Sequence, residues 1–579
     1  MKVCRSAVPS ELGKGRPVVH QALEGTTPYR EEDAERYIRL GWWRGLTLGD
    51  LLDRAADIHP DKEAFIDLEN RLTYSQARER AGRLAVAFMR LGIEPLERVL
   101  VQLPNWTEFV PAYFALQKIG AIPVMLIDRY RQLEILQLAD ITGATTWIVP
   151  VRHRKVDYVP IIQDVLRQRP QIERVITVRG EVDEPGFWSL QRLIAETEPT
   201  EADLLALAAR DPDARQVAHM GPTGGTTGSP KIVPRTHNSL ECTVEYCAQS
   251  WGQHCEDINL IVGSIGHDLT FTKGFLGSII TMGTIVMLDS TDSQVICETI
   301  QREKVTAVIW VPTLGQRLLQ YEGLDKYDLS SLKKMHSAGG AALPGLVRDV
   351  FSRLDVRFCN GYGATEGMTT ITRAVDDVEV VCHTVGRPTC PCDTYKVVDL
   401  QGNVLPPETP GELLVKGPSV FTGYYRNPEE DAKVFDADGF FKTGDVAKIS
   451  ERGYITIVGR IKEMINRGGE SISATVIEEL IDRHPDVATV AVIAMPDVLM
   501  GERVCAYIKP RSGASLCLED VIMFLRDQKA SVLELPERIE FVELMPYTAA
   551  QKIDKNALRA DIAKKVGAEG AAGGAAPVA

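Results

Sequence analysis

The nine residues Thr-Gly-Gly-Thr-Thr-Gly-Ser-Pro-Lys at 223–231 place three glycines, several hydroxyl side chains and one cation on a single short stretch. Free backbone N–H groups, hydroxyl donors and a lysine are the parts of a phosphate cradle. The spacing is neither the Gly-x4-Gly-Lys-Ser/Thr pattern nor a Gly-x-Gly-x-x-Gly turn after a strand, so phosphates would be held in another way. Downstream, Ile265-Gly-His-Asp-Leu-Thr-Phe-Thr-Lys273 sets His267, Asp268 and Lys273 into an otherwise apolar segment. The small residues Gly339, Gly340 and Ala341 follow; they let a flat ligand approach the backbone. In Asn360-Gly-Tyr-Gly-Ala-Thr-Glu-Gly367, Tyr362 offers a ring for stacking, Thr365 a hydroxyl for a phosphate oxygen and Glu366 a ligand for a hard cation. Phe441-Lys-Thr-Gly-Asp445 is expected to present a carboxylate on a turn, suited to accept two hydrogen bonds from a ribose diol.

These stretches need a scaffold, and the chain has the means to build one. At 579 residues it exceeds what one hydrophobic core supports, and 44% hydrophobic with 25% charged residues is ordinary globular composition. Strand-like runs at 98–103, 145–149, 174–178, 284–288 and 306–311 alternate with helix-length segments, which predicts parallel α/β layers. Thr47-Leu-Gly-Asp50 is a capping box opening a helix through Leu51, Leu52 and Ala55. The net charge of −14 argues against nucleic acid or an anionic membrane surface as partner, and no apolar run has membrane length. Eleven cysteines without a Cys-x-x-Cys, with Cys390 and Cys392 the nearest pair, read as thiols and not as a zinc site. With no apolar leader after Met1, the chain reads as a reducing, cytoplasmic enzyme.

Three of these motifs, Thr-Gly-Gly-Thr-Thr-Gly-Ser-Pro-Lys, Gly-Tyr-Gly-Ala-Thr-Glu and Lys-Thr-Gly-Asp, together with Gly459-Arg-Ile-Lys-Glu-Met-Ile-Asn-Arg-Gly-Gly-Glu470, occur in the order of the adenylate-forming superfamily of acyl- and aryl-CoA synthetases, over roughly 41–565. Gly41-Trp-Trp, Ile465-Asn-Arg-Gly-Gly-Glu and Met500-Gly-Glu most resemble its stand-alone aryl-acid ligases of the 2,3-dihydroxybenzoate-AMP type. The resemblance implies an α/β fold with a large N-terminal adenylate-forming domain of layered sheets and helices and a small α+β C-terminal domain. It divides the chain into an arm at 1–40, the large domain at 41–459, a mobile domain at 460–566 and a disordered tail at 567–579. It implies ATP, Mg²⁺ and a thiol acceptor, with an acyl adenylate formed first and a thioester second.

By the same resemblance Thr223, Gly224, Gly225, Thr226, Thr227, Gly228 and Lys231 hold the β- and γ-phosphates, Thr365 donates to the α-phosphate, and Glu366 ligates Mg²⁺. Tyr362 stacks on adenine beside Gly339, Gly340 and Ala341, while Asp445 with Arg460 holds the ribose. Lys552, in Met545-Pro-Tyr-Thr-Ala-Ala-Gln-Lys-Ile553, neutralises charge between carboxylate and α-phosphate. Gln551 stands where relatives carry glycine, so this loop is expected to bend differently. Lys462 is the hinge pivot, and beyond it Ser473 caps a helix with an apolar face at Val476, Ile477, Leu480 and Ile481. After adenylation the small domain swings, bringing Gly468 and Gly469 to line the thiol's route.

His267 takes the gate position, and Asp268 and Lys273 replace an asparagine and a serine that read ring hydroxyls in dihydroxybenzoate ligases. Two readings follow: an ion pair between Asp268 and Lys273 shaping the pocket wall, which is favoured, or Lys273 reading a second acidic or polar group of the acid. Gly363 and Ala364 form a small floor suited to an aromatic or alicyclic ring. Thr365, where dihydroxybenzoate ligases have alanine, favours CoA over a phosphopantetheinyl carrier protein as acceptor; a nucleotide-binding non-ligase is the third reading. A homodimer is left open.

Overall fold

The computed structural model describes residues 22–223, 230–467, 470–497, 499–548 and 551–573. The β-branched runs form the expected parallel strands. Arg98–Val101, Ile122–Met125, Thr146–Pro150 and Arg174–Val178 pair in parallel within a seven-stranded sheet. A nine-stranded sheet carries a second parallel run, from Glu63–Ile66 through Thr284–Met287, Ile258–Ile261, Ala307–Trp310 and Lys334–Ser337 to Arg357–Gly363. Helices Leu48–Ile58, Tyr74–Arg90 and Phe109–Ile119 share one core with residues of both sheets. Phe109–Ile119 is buried at every position but Lys118, as a helix wedged between two sheets must be. Phe109 packs edge-on against Phe275 at 5.2 Å, so its truncation to alanine would cost ~3–5 kcal/mol.

Thr47 and Asp50 form the predicted capping box. Residues 29–43 are docked on the large domain: Tyr29, Ala34, Tyr37 and Trp43 pack with Cys242 and Cys390, and Trp43 Nε1 donates to Pro418 O at 3.0 Å. A four-stranded antiparallel sheet runs Thr394–Val398, Gly411–Lys416, Phe441–Ile449 and Ile455–Arg460.

Beyond it, Val487–Asp497 and Gly501–Pro510 form the spine of a five-stranded sheet. Period-two alternation sends Val490 and Val492 towards the helix Ala474–Asp482 and Ala491 and Ile493 towards the terminal helix Lys555–Gly573. Both faces are covered, so residues 465–562 carry hydrophobic clusters of their own. Ser473 Oγ accepts from Val476 N as a cap should; Ile477 and Ile481 are buried, whereas Val476 and Leu480 are half-buried. The alanine- and glycine-rich tail is helical as far as Gly573, correcting the disorder expected from 567. Alanine's high helix propensity lets the preceding helix continue through isolated glycines. The rest of that tail lies outside the described residues.

Candidate active site

The phosphate-loop motif is the connection of an antiparallel hairpin. Thr223 ends one strand, Lys231 begins the next, and the two are register partners. Gly224, Gly225, Thr226, Thr227 and Gly228 lie outside the described residues, as do Gly468 and Gly469. Lys231 is ion-paired with Glu430 and lies 5.0 Å over the Tyr424 ring. Tyr424 in turn donates to Glu366 Oε1 at 2.7 Å. Cradle lysine and candidate metal carboxylate therefore share one network.

Glu366 is buried, and burial raises its carboxyl pKa against the lowering effect of the Tyr424 hydroxyl. The turn carrying it, 364–367, is held from behind by Arg235, a residue the sequence reading missed. Arg235 is fully buried and donates to Thr365 O at 3.1 Å, Ser419 O at 2.8 Å, Ser239 O at 3.0 Å and Thr243 Oγ1 at 2.8 Å. Gly367 has φ +106°, and an added β-carbon would lie 1.9 Å from Ser419 O, so only glycine closes this turn. The Thr365 hydroxyl has no hydrogen-bond partner among the described residues, which leaves it free to donate. The local signal for Arg235 was its place in the strand after the glycine loop; its partners come from the following helix, His237–Trp251, and from two distant segments.

Asp445 sits in the strand Phe441–Ile449, not on a turn as expected, and faces Arg460 directly across the ladder. Backbone pairing with Ile455–Arg460 extends the strand through Gly444, overriding the turn signal of Lys-Thr-Gly-Asp. Arg460 Nε lies 3.0 Å from Asp445 Oδ1, and the Tyr362 hydroxyl donates to Oδ2 at 2.5 Å. Asp445 is 3% exposed; burial raises its pKa, opposed chiefly by Arg460. Adenine-stacking and ribose-binding candidates are thus joined at the edge of two sheets. Gly339 lies in the bend just after the adjacent strand of the nine-stranded sheet, Lys334–Ser337, with Gly340 and Ala341 exposed after it.

Lys552 arrives from the small domain. Tyr547 and Ile553 form a bridge, and Thr548 N donates to Lys552 O at 2.8 Å, so the lysine stands on a tight hairpin. Its Cε would be 3.4 Å from a β-carbon at Gly339. Burial, then the cations Arg460 and Lys273, push the Lys552 pKa down to about 8. Gln551 takes φ +61°, so the hairpin keeps the left-handed conformation a glycine would supply, correcting the expectation of a different bend. Contacts to the helix Pro312–Leu319 and the residue after it offset that strain: Thr313 Oγ1 donates to Gln551 O at 2.7 Å and Arg317 Nη1 to Gln551 Oε1 at 3.2 Å. Arg317 also lies 4.5 Å over Tyr547, and Gln316 and Gln320 both donate to Ala488 O. Lys462 lies in the short 3₁₀ turn Ile461–Glu463 that follows Arg460, with its pKa lowered by burial and by Arg460.

His267, Asp268 and Lys273 enter through a wide-turned π-helical segment, Leu269–Leu276, the type of winding often found at functional sites. Burial and the nearby Lys552 keep His267 neutral at physiological pH, and Leu269 N donates to its Nδ1 at 3.3 Å, placing the ring proton on Nε2. Asp268 and Lys273 do not form the favoured ion pair. Asp268 Oδ1 accepts from Thr272 Oγ1 at 2.7 Å, while Lys273 runs to the Gly363 backbone, where an added β-carbon would lie 3.3 Å from Nζ. A cleft opens beside His267, lined also by Ser264, Asp128, Arg154, Val311 and Gln551. At its mouth Asp128, His153 and Asp289 bring potential ligand atoms within 4.8 Å of one another, but Asp289 is already paired with His153 at 2.6 Å and Arg154 at 2.9 Å.

Among the described residues no helix is long and apolar enough to cross a membrane. Residues 52–425 match the family described as AMP-binding enzyme, and 476–552 match the AMP-binding enzyme C-terminal domain. The chain is 35% identical to 2,3-dihydroxybenzoate-AMP ligase of Bacillus subtilis, covering 94% of this chain and 99% of the relative. It is also 35% identical to a salicylyl-CoA synthase / salicylate adenylyltransferase of a Streptomyces species, covering 93% and 97%. Apo MbtA of Mycobacterium smegmatis superposes with a TM-score of 0.70 at 31% identity, over 93% of this chain and 98% of that one. With both family regions matched in order around one shared site, this chain belongs to the AMP-binding, adenylate-forming superfamily of enzymes.

Proposed function

We propose that the protein activates an aromatic or alicyclic carboxylic acid with ATP and transfers the acyl group to the thiol of CoA. The observation that carries this reading is the docking of Lys552 beside Gly339, within the electrostatic reach of Arg460, Asp445 and Lys273. Two anions must meet in the first step. The acid's carboxylate oxygen attacks the α-phosphorus of ATP, the bond to pyrophosphate breaks, and the acyl adenylate remains. Lys552 offsets the charge between the reacting groups, and the free Thr365 hydroxyl donates to the α-phosphate. Glu366, buried and hydrogen-bonded by Tyr424, suits a Mg²⁺ ion that neutralises phosphate charge when bound. Lys231 and the glycine loop would bind the outer phosphates; the Glu430 pairing keeps Lys231 oriented until they arrive. Tyr362 would face the adenine, and Asp445 would accept from the ribose diol.

In the second step the thiol sulfur attacks the acyl carbon and AMP leaves. The cleft beside His267 is the route we assign to the thiol arm, and Gln551 in its wall must withdraw with Lys552 for the arm to reach the adenylate. Rotation about Lys462 would achieve this, with Gly468 and Gly469 brought to the new tunnel. The CoA acceptor is supported by the name of the Streptomyces relative. A second reading, loading of a phosphopantetheinyl carrier protein, is supported by the name of a Mycobacterium tuberculosis relative 32% identical to this chain, salicyl-AMP ligase / salicyl-S-ArCP synthetase.

ATP–pyrophosphate exchange across benzoates, hydroxybenzoates, alicyclic acids and dicarboxylates tests the first step, and adding CoA tests the second. Exchange followed by CoA-dependent AMP release is expected. Exchange with no use of CoA would move the acceptor to a carrier protein, and no exchange with any acid would sink the ligase reading. Lys462→Pro should leave exchange intact while blocking thioester formation from preformed adenylate.

A further inference from the structure

We propose that Lys273 selects the acid, and that the acid carries a second anionic group, a carboxylate or an ionised phenol, seated against the Lys273 ammonium. This rests on the acid-activating reading above and names its substrate class. Lys273 and Arg235 are the two fully buried cations among the described residues. Arg235 satisfies its guanidinium on four protein oxygens. Lys273, at 3% exposure, has none: no described carboxylate lies within 4.0 Å of Nζ and no described group accepts a hydrogen bond from it. A cation whose stem is buried and whose ammonium has no counter-ion in the protein is unfavourably placed until an anion arrives, because buried cations are paired or meet a charged ligand.

The protein groups around Lys273 do not fill that role. Asp268, the nearest acidic candidate on the same segment, is turned to Thr272. His336 is buried beside Gly361, with Nδ1 on Cys359 O at 3.2 Å and Nε2 unpartnered; burial and Lys273 keep it neutral. Burial likewise keeps the Cys247 thiol protonated. Nζ instead overlies the bare backbone of Gly363, at the end of the strand that leads into Thr365 and Glu366. Lys552 occupies a separate place, against Gly339 in the bend beyond the neighbouring strand. The pocket thus offers two cations at two positions, one for the reacting carboxylate and one for a second anion.

The test compares substrates first, on the intact wild-type enzyme. Exchange with benzoate, the three benzenedicarboxylates and the three hydroxybenzoates is measured, and the best dianion is set against its monoamide or methyl ether. A kcat/KM preference of roughly 10- to 100-fold for a second anion, lost when that group is neutralised, is expected for one charge-assisted contact. The dicarboxylate and phenol arms identify which anion is read. Lys273→Met should abolish the preference and Lys273→Arg retain part of it, with melting temperatures showing that each variant is folded. Equal use of benzoate and the dianions by wild type, or an undiminished preference in Lys273→Met, would overturn the inference while leaving acid activation standing. Exchange with no acid would instead remove the reading on which it rests.

Discussion

The two sides of this site are built on opposite principles. On the large-domain side, Asp445 and Tyr362 are strand residues fixed by cross-ladder pairing, and Glu366 sits on a turn braced by Arg235. On the small-domain side, Lys552 stands on a hairpin that Thr313 and Arg317 hold to the large domain through Gln551, while Gln316 and Gln320 hold the small domain at Ala488. The first arrangement is part of the core and does not come apart without unfolding. The second is a handful of exchangeable hydrogen bonds, each worth ~0.5–1.5 kcal/mol net. On the proposed reading, the nucleotide-binding groups are therefore permanent, whereas the lysine proposed for adenylation is delivered and removable.

The largest break in that contrast should come from Lys552→Ala. Adenylation kcat/KM is expected to fall ~10²–10³-fold, the scale for losing one preorganised charge donor, with thioester formation from supplied adenylate nearly unchanged. Single-turnover measurement of both half-reactions checks this, and equal losses would contradict a delivered lysine. Asp445→Ala attacks the permanent side instead. It should weaken ATP binding by about 10- to 100-fold, as expected for a hydrogen bond to a charged group, in calorimetry with a non-hydrolysable analogue. An unchanged affinity would detach Asp445 from the ribose.

pH separates the two sides further. The Lys552 pKa, about 8 when docked, lies below the unfolded value near 10.4, so the cation is the disfavoured form in the docked state. Between those values the unfolded chain holds the proton that the folded chain releases, and stability rises with pH. Catalysis runs the other way, and adenylation kcat/KM should decline as pH passes about 8. A flat profile up to pH 10 would place the lysine in water. The smallest effect concerns the latch. Gln551→Gly relieves a left-handed φ, worth ~1 kcal/mol, and loses the Arg317 bond of similar size, so thermal stability should hold within ~1 kcal/mol. Arg317→Met only loses, and should slow adenylation about fivefold while sparing thioester formation.

Where residues act locally, the chain announces itself. The Thr47–Asp50 box and the Arg174–Val178 strand follow from hydrogen bonds and periodicity confined to a few residues. The motifs around Tyr362 and Asp445 were legible as candidates because each packs unusual chemistry into a short span, whereas Lys552 was legible only through its resemblance to the family's final motif. Their neighbours were not. Lys-Thr-Gly-Asp looked like a turn because strand pairing with Ile455–Arg460 is a non-local interaction. The Asp268–Lys273 pairing failed because five residues of sequence do not fix which wall a long side chain reaches.

By itself, then, the sequence determined the layered α/β architecture, the order of the motifs and the types of group available to each step. Those properties depend on side-chain chemistry and on short-range backbone preference. Only the tertiary structure decided that Arg235 would brace Thr365, that Gln551 would take a glycine's conformation against Arg317, and that Lys273 would be buried without a counter-ion. Each of these is an energy balance between segments about a hundred or more residues apart, or between a buried charge and its surroundings, and exists only once the chain has closed on itself.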